Sequence, residues 1–311
     1  MEPVTIAVIG AGHMGRLHAV KLAAMPEARL TAVVDIDRDR AQSVAGETRC
    51  AAFDDYRNAI DDAEAVIIAV PTERHHEVLH ACLERGKHAL VEKPIASNAH
   101  DAEDLVALAQ REQLVLQVAH IERFNASFQA MASRFTRPLF IDAERLAGFK
   151  RRGVDVDVIL DLMIHDIDLT LSLVRADVSH VSACGFRVLT NGIDIANAYI
   201  EFADGCVANL SASRVSQAPV RKLRVFQHNL YASADLQAGQ LKCVRRREGR
   251  IEQDDETLDG GDALTAQARA FVAAVRGEPV AVTGDDGRRA LELALRVGEL
   301  ARERLRRMAV A

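Results

Sequence analysis

The residues with the plainest chemistry lie near the start of the chain. Gly10-Ala11-Gly12-His13-Met14-Gly15 follows the apolar run Val4 to Ile9 and opens a stretch of helical composition. In that setting Gly10 permits a tight turn, Gly12 lets backbone approach a pyrophosphate, and Gly15 allows close packing of helix on strand. The helix N-terminus at His13 and Met14 then faces the anion. Glycine-rich turns are common, and this one carries weight because a strand precedes it and a helix follows. The second β-rich run ends in Val33-Val34-Asp35. A carboxylate there bonds the adenine-ribose hydroxyls and repels a 2′-phosphate. With Asp37 adding negative charge, the expected cofactor is NAD rather than NADP. The competing role for Asp35 is an N-cap of the next helix. A later run ends in Val70-Pro71-Thr72, where the chain leaves the sheet, so Pro71 and Thr72 are expected beside the dinucleotide.

Two further constellations hold groups that can move a proton. Glu92-Lys93-Pro94 closes the fifth β-rich run, at the carboxyl edge where open α/β sheets bind ligands, and the proline holds Lys93 extended. The alternative is a surface lysine before a turn. Asp161-Leu162-Met163-Ile164-His165-Asp166-Ile167-Asp168 places Asp161, His165 and Asp168 at helical spacing on one face. Carboxylate and imidazole at these intervals can ligate a divalent ion, but no cysteine or second histidine supports a zinc site nearby. No metal is expected. The alternative for His165 is a structural residue bonded to Asp161. His76 and His80 read as a solvated helix face.

These groups need a scaffold, and the pattern around them supplies one. From residue 4 to about 119, strand candidates Val4 to Ile9, Leu30 to Val34, Ala65 to Val70, His88 to Val91 and Leu114 to Val118, with a weaker one at Cys50 to Phe53, alternate with helical stretches near 14–25, 38–46, 73–85 and 98–112. That is the signature of a parallel sheet covered on both faces. Beyond Ile121 come two helices, near 125–134 and 160–174, and a series of β-type runs from Leu139 to Arg246 separated by turn signals, which imply an antiparallel sheet. Two amphipathic helices, 265–276 and 288–308, close the chain. The expected fold class is α/β: an N-terminal Rossmann domain over 1–120, and an α+β domain over 121–311 on an open, mostly antiparallel sheet. The closing helices near 265–308 are able to pack back on the first domain. A chain of 311 residues favours two domains.

Bulk properties remove other classes. With 49% hydrophobic and 27% charged residues the chain is ordinarily globular, and its apolar runs are strand-length, too short for a membrane span. A net charge of −6 gives no general attraction to nucleic acid or anionic membrane. Arg245-Arg246-Arg247 is followed by Glu252, Asp254, Asp255 and Glu256, which reads as a solvated hairpin end. Five scattered cysteines predict reduced thiols, and an N-terminus without a basic leader predicts a cytoplasmic protein.

Taken together, Gly10 to Gly15 with His18, Pro71-Thr72 with His75, Gly86-Lys87-His88 leading into Glu92-Lys93-Pro94, and Asp161 with His165 and Asp168 resemble the glucose-fructose oxidoreductase and inositol dehydrogenase (Gfo/Idh/MocA) family over nearly the whole chain. The resemblance implies a nicotinamide cofactor, a polyol or sugar substrate, and a homodimer or homotetramer formed through the second sheet. By position it makes Lys93, Asp161 and His165 the catalytic group, and adds His75 and Glu92 to the cofactor neighbours. His165 would take the hydroxyl proton, Lys93 stabilise the oxygen, and Asp161 orient His165 or a neighbouring hydroxyl. The chain departs from many relatives at Met163-Ile164 and Asp157-Val158-Ile159-Leu160, where they carry glycines.

Ala119 to Asn125, Asp161 to Leu169 and Arg221 to Gln227 resemble one branch, the dehydrogenases that oxidise the 3-hydroxyl of UDP-N-acetylglucosamine for diamino-sugar lipid A synthesis and pass the ketone to an aminotransferase. That branch implies a nucleotide-sugar substrate, with Arg123, Asn125, Lys150 and Arg151 as partners for the anionic group. For the 150–152 run a solvated loop stands equally open. The alternatives are a dehydrogenase of free inositol or sugar, and a non-catalytic dinucleotide sensor that keeps the glycines and Asp35 without needing Lys93 and His165.

Overall fold

The computed structural model describes residues 2–149, 156–259 and 261–310, with side chains described through Met308. The chain divides into two units, Met1–Ile121 with Asp262–Arg288, and Glu122–Gly261 with Arg289–Ala311.

The first unit alternates strand and helix: β1 (Val4–Ile9), α1 (His13–Ala23), β2 (Ala28–Val34), α2 (Arg38–Thr48), β3 (Ala51–Phe53), β4 (Ala65–Ile68), α3 (His75–Glu84), β5 (His88–Val91), α4 (Ala99–Arg111) and β6 (Leu116–Val118). The strands pair in parallel in the order β3-β2-β1-β4-β5-β6. The order reverses between β1 and β4, the place where doubly wound sheets open a crevice at their carboxyl ends. Parallel strands covered on both faces read as near-continuous apolar runs. All four residues of β4 are accordingly buried, as are five of the six in β1.

The second unit carries α5 (Ala126–Ala132), β7 (Phe140–Leu146), a π-helical turn over Ile159–Met163 that runs into α6 (Ile164–Leu173), and then β8 (Val178–Phe186), β9 (Ile195–Phe202), β10 (Val207–Ser213), β11 (Val220–Gln227), β12 (Leu230–Asp235), β13 (Gln240–Arg247) and β14 (Arg250–Thr257). The sheet order is β14-β13-β12-β11-β7-β10-β9-β8, antiparallel throughout except where β7 and β10 run parallel. On β7 the burial alternates, with Ile141, Ala143 and Arg145 turned inward and Asp142 and Glu144 less buried. Ile141 and Ala143 share a core with Met163, Ile164 and Ile167 of the helix. Other positions form a polar and aromatic array in which Arg224 bonds Asp142 and Glu144 and the rings of Phe140, Phe226 and Tyr231 stack in series.

The closing helices are α7 (Ala263–Val275) and α8 (Gly284–Val310). Ala268, Phe271 and Val272 of α7 join Ala19 and Leu22 of α1 in the core of the first unit, whereas Ala290, Ala294 and Val297 of α8 join the core of the second. The second half of the chain is therefore not one continuous unit. Strand β14 is a further departure from the sequence expectation. Its residues RIEQDDET lack apolar alternation because it is an edge strand, and they pair with basic β13, as in Arg245 with Asp254. Among the described residues no helix is long and apolar enough to cross a membrane.

Candidate active site

In the first unit, loops at the carboxyl ends of β1, β2, β4 and β5 hold the cofactor candidates. Gly10 has φ +97°, and its amide donates to Val34 O at 2.7 Å. A Cβ on Gly10 would lie 2.4 Å from Ala69 O, and one on Gly15 would lie 1.7 Å from Gly10 O, so neither position admits a side chain. Gly12 is different: a Cβ there meets nothing within 4 Å. Gly12 is also the N-cap of α1, and no side chain caps that helix. The orphan amide groups of the first turn, with His13 exposed and Met14 partly buried, thus face open space that a side chain would occupy. A pyrophosphate fits this cradle in charge and in room.

The two roles open to Asp35 are separated by its neighbour. Asp37 caps α2, accepting from Arg40 N, while Asp35 is turned to the glycine turn and accepts from Ala11 N at 2.8 Å and Asp37 N at 3.0 Å. Asp35 is thereby held at the end of β2, where a ribose would lie. Pro71 is exposed, and Thr72 begins a 3-10 turn ahead of α3. Glu92 accepts from buried His18 Nε2 at 2.8 Å, and Lys93, which follows it, is partly exposed. His75 is buried with both ring nitrogens on backbone carbonyls, so its place is in the walls of the crevice rather than on its surface.

In the second unit the polar residues of the helix divide into two sets. Asp161, on the π turn, and His165, on the first turn of α6, are partly exposed. Asp166 and Asp168 are buried. The expected common face of Asp161, His165 and Asp168 is therefore corrected: the π turn adds a residue to the turn bearing Asp161, and Asp168 points inward to a bidentate pair with Arg123 (both bonds 2.7 Å). Asp166 forms a second fork with Arg145 (2.9 and 2.8 Å), whose remaining nitrogen reaches Glu122 at 2.7 Å. Burial pushes the Asp166 carboxyl up and the Arg145 charge pulls it back, while the two carboxylates hold the guanidinium protonated. π turns of this kind concentrate at functional sites, and here one runs into a helix pinned by two arginine–carboxylate forks, one buried and one partly buried.

Two of the expected substrate contacts, Arg123 and Asn125, carry structural bonds in the second unit. The Arg123 guanidinium pairs with Asp168 through Nε and Nη2. Asn125 caps α5 through Oδ1, accepting from Ser127 N and Phe128 N, and donates Nδ2 to Leu236 O at 2.8 Å. Lys150 and Arg151 lie outside the described residues. Arg145, Asp166 and Glu122 were not singled out by sequence. The available signals were an arginine at an inward position of a strand and acidic residues on an otherwise apolar helix.

A family model described as "Oxidoreductase family, NAD-binding Rossmann fold" matches residues 4–120, and one described as "GFO/IDH/MocA C-terminal domain" matches residues 128–228. The chain belongs to the Gfo/Idh/MocA oxidoreductase family. Among relatives of this Gfo/Idh/MocA protein, UDP-N-acetylglucosamine 3-dehydrogenase from Acidithiobacillus ferrooxidans is 40% identical over 93% of this chain and 95% of its own. A solved structure of that enzyme superposes with a TM-score of 0.91 at 39% identity, covering 96% of this chain and 98% of the other. Myo-inositol 2-dehydrogenase from Thermotoga maritima is 25% identical over 93% of both chains. Scyllo-inositol dehydrogenase from Lactobacillus casei, solved with bound NAD(H) and scyllo-inositol, shares the fold, with a TM-score of 0.83 at 19% identity over 97% of this chain and 98% of that one. This member of the family is an NAD-dependent dehydrogenase whose glycine turn, open α1 terminus and Asp35 fit that cofactor.

Proposed function

We propose that the protein oxidises the 3-hydroxyl of UDP-N-acetylglucosamine to a ketone, for consumption by an aminotransferase in diamino-sugar lipid A synthesis. The observation that carries this reading is end-to-end similarity, in sequence and fold, to a UDP-N-acetylglucosamine 3-dehydrogenase. NAD, when bound, supplies the hydride acceptor.

The chain's own groups supply the rest. His165 takes the proton of the sugar hydroxyl, imidazole being the side chain whose ordinary titration range suits a base near neutrality. Lys93 bonds the same oxygen and stabilises its developing charge, and Asp161 orients His165 or a neighbouring hydroxyl. Asp166 and Asp168 hold the helix on which Asp161 and His165 are carried. The array of Phe140, Phe226, Tyr231 and Arg224 suits a homo-oligomer interface, because an exposed and two partly exposed aromatics set among paired charges favour a protein partner.

The test is NADH formation by the purified protein with NAD and UDP-N-acetylglucosamine, coupled to an aminotransferase to draw off the ketone, beside myo-inositol and glucose. Turnover of the nucleotide sugar alone is expected, and turnover of a free polyol or sugar without it overturns the reading. Lys93→Ala and His165→Ala are each expected to lower turnover by roughly 10²- to 10⁴-fold while NADH binding persists.

A further inference from the structure

We propose that His75 is a positioning residue that straps the loop after β4 to the turn bearing Lys93. Its ring, 1% exposed, stands between two backbone carbonyls. Nδ1 lies 2.8 Å from Pro94 O and Nε2 lies 3.0 Å from Val70 O. Val70 and Pro71 form the crevice edge after β4, and Pro94 immediately follows Lys93. One buried ring is thus wedged between two loops beyond the ends of β4 and β5, in hydrogen-bonding reach of a carbonyl on each.

The chemistry of the contact sharpens the role. A carbonyl oxygen only accepts, so each bond requires an N–H, and a neutral imidazole has one N–H where an imidazolium has two. Burial outweighs the two carbonyls and the neighbouring Glu92 carboxylate and holds the ring below the ordinary imidazole range, in its neutral form near pH 7. Glu92 is itself fixed by His18, on α1. The ring therefore donates one hydrogen bond, to Pro94 O or to Val70 O, and its buried body stands packed between that carbonyl and the other. Neither ring nitrogen is left for substrate or cofactor, so the effect on the reaction passes through the backbone that places Lys93. The inference rests on the role proposed above for Lys93.

The test compares His75→Ala and His75→Gln with the wild type as NADH-loaded proteins, on whichever of UDP-N-acetylglucosamine and myo-inositol the wild type turns over. Misplacing a reacting group by an ångström costs on the order of 100-fold, so kcat in His75→Ala is expected to fall by roughly 10- to 100-fold. Sugar KM and NADH affinity are expected to stay within about threefold, since no contact to either is removed. His75→Gln, which keeps one donor, should recover part of the lost kcat. An unchanged kcat in His75→Ala, or a loss carried by KM or by NADH affinity alone, overturns the proposal. Ring ¹⁵N NMR of the NADH complex supplies an arm independent of substrate. A His75 N–H protected from exchange is expected, and a ring exchanging freely with solvent refutes the strap. If the wild type fails on the nucleotide sugar, the assigned substrate falls while the ring signal still decides the strap.

Discussion

Replacing Arg145 with methionine removes the cation at the centre of the second unit. The Arg145 side chain is 4% exposed and its partners Asp166 and Glu122 are 3% and 7% exposed. In the variant Glu122 retains Arg221 at 3.4 Å, but Asp166 keeps no direct cation partner among the described residues. Methionine fills most of the arginine stem's volume, so the penalty is chiefly the uncompensated carboxylate, about 3–5 kcal/mol. For a unit of this size that is a fall in Tm of roughly 10 °C, read by far-UV circular dichroism at pH 7. The pH dependence has a definite sign. Burial already raises the Asp166 pKa, and loss of the guanidinium raises it further. An acid with a raised folded pKa contributes stability that is full below its unfolded pKa, about 3.9, and lost as pH rises through the folded value. The deficit against wild type is therefore largest at pH 7 and narrows toward pH 4. Adding Asp166→Asn should restore part of the stability by removing the stranded charge. A Tm within about 2 °C of wild type at pH 7, or a deficit that grows on acidification, would refute the reasoning.

The other expectations are smaller experiments. Gly15→Ala has no room for its methyl against Gly10 O and should lower Tm by several degrees and abolish NADH binding; Gly12→Ala meets no protein atom, so its Tm should hold while NADH fluorescence titration shows weakened binding. Asp35→Ser should cost NADH roughly 10- to 100-fold in affinity, the range for a charged hydrogen bond, and narrow the preference over NADPH. Tighter NADPH binding by the wild type would count against the assigned role. Asp194 accepts from the amides of Val188, Leu189 and Thr190 and from the Thr190 hydroxyl, which hold its pKa down at about 2. A depressed acid stabilises above its unfolded pKa, so Asp194→Asn should cost about 2 kcal/mol at pH 7. In a thermal-melt series the gap should close as pH falls from about 4 toward 2.

The first unit was legible in the sequence for physical reasons. Strands covered on both faces read as near-continuous apolar runs, and a turn that lets backbone meet backbone needs glycines, so Val4 to Ile9 and Gly10 to Gly15 marked the fold and the expected cofactor turn together. The placement of Glu92-Lys93-Pro94 at the end of β5 follows from the same pattern. Helical periodicity also marked the polar residues of 161–168, but it reports only spacing around an axis. It assumed α-helical geometry where a π turn intervenes, and it could not say which carboxylates meet a cation. That was decided by Arg123 and Arg145, 45 and 21 residues away from Asp168 and Asp166, which turned those two inward and left Asp161 and His165 partly exposed. Strand β14 escaped because an edge strand needs no apolar face, and the return of α7 to the first unit because an amphipathic helix does not name the surface it covers. Local sequence thus determined the elements and the cofactor turn. Which polar groups of 161–168 were turned inward, and which stayed partly exposed, was set by charge pairing between segments distant in the chain.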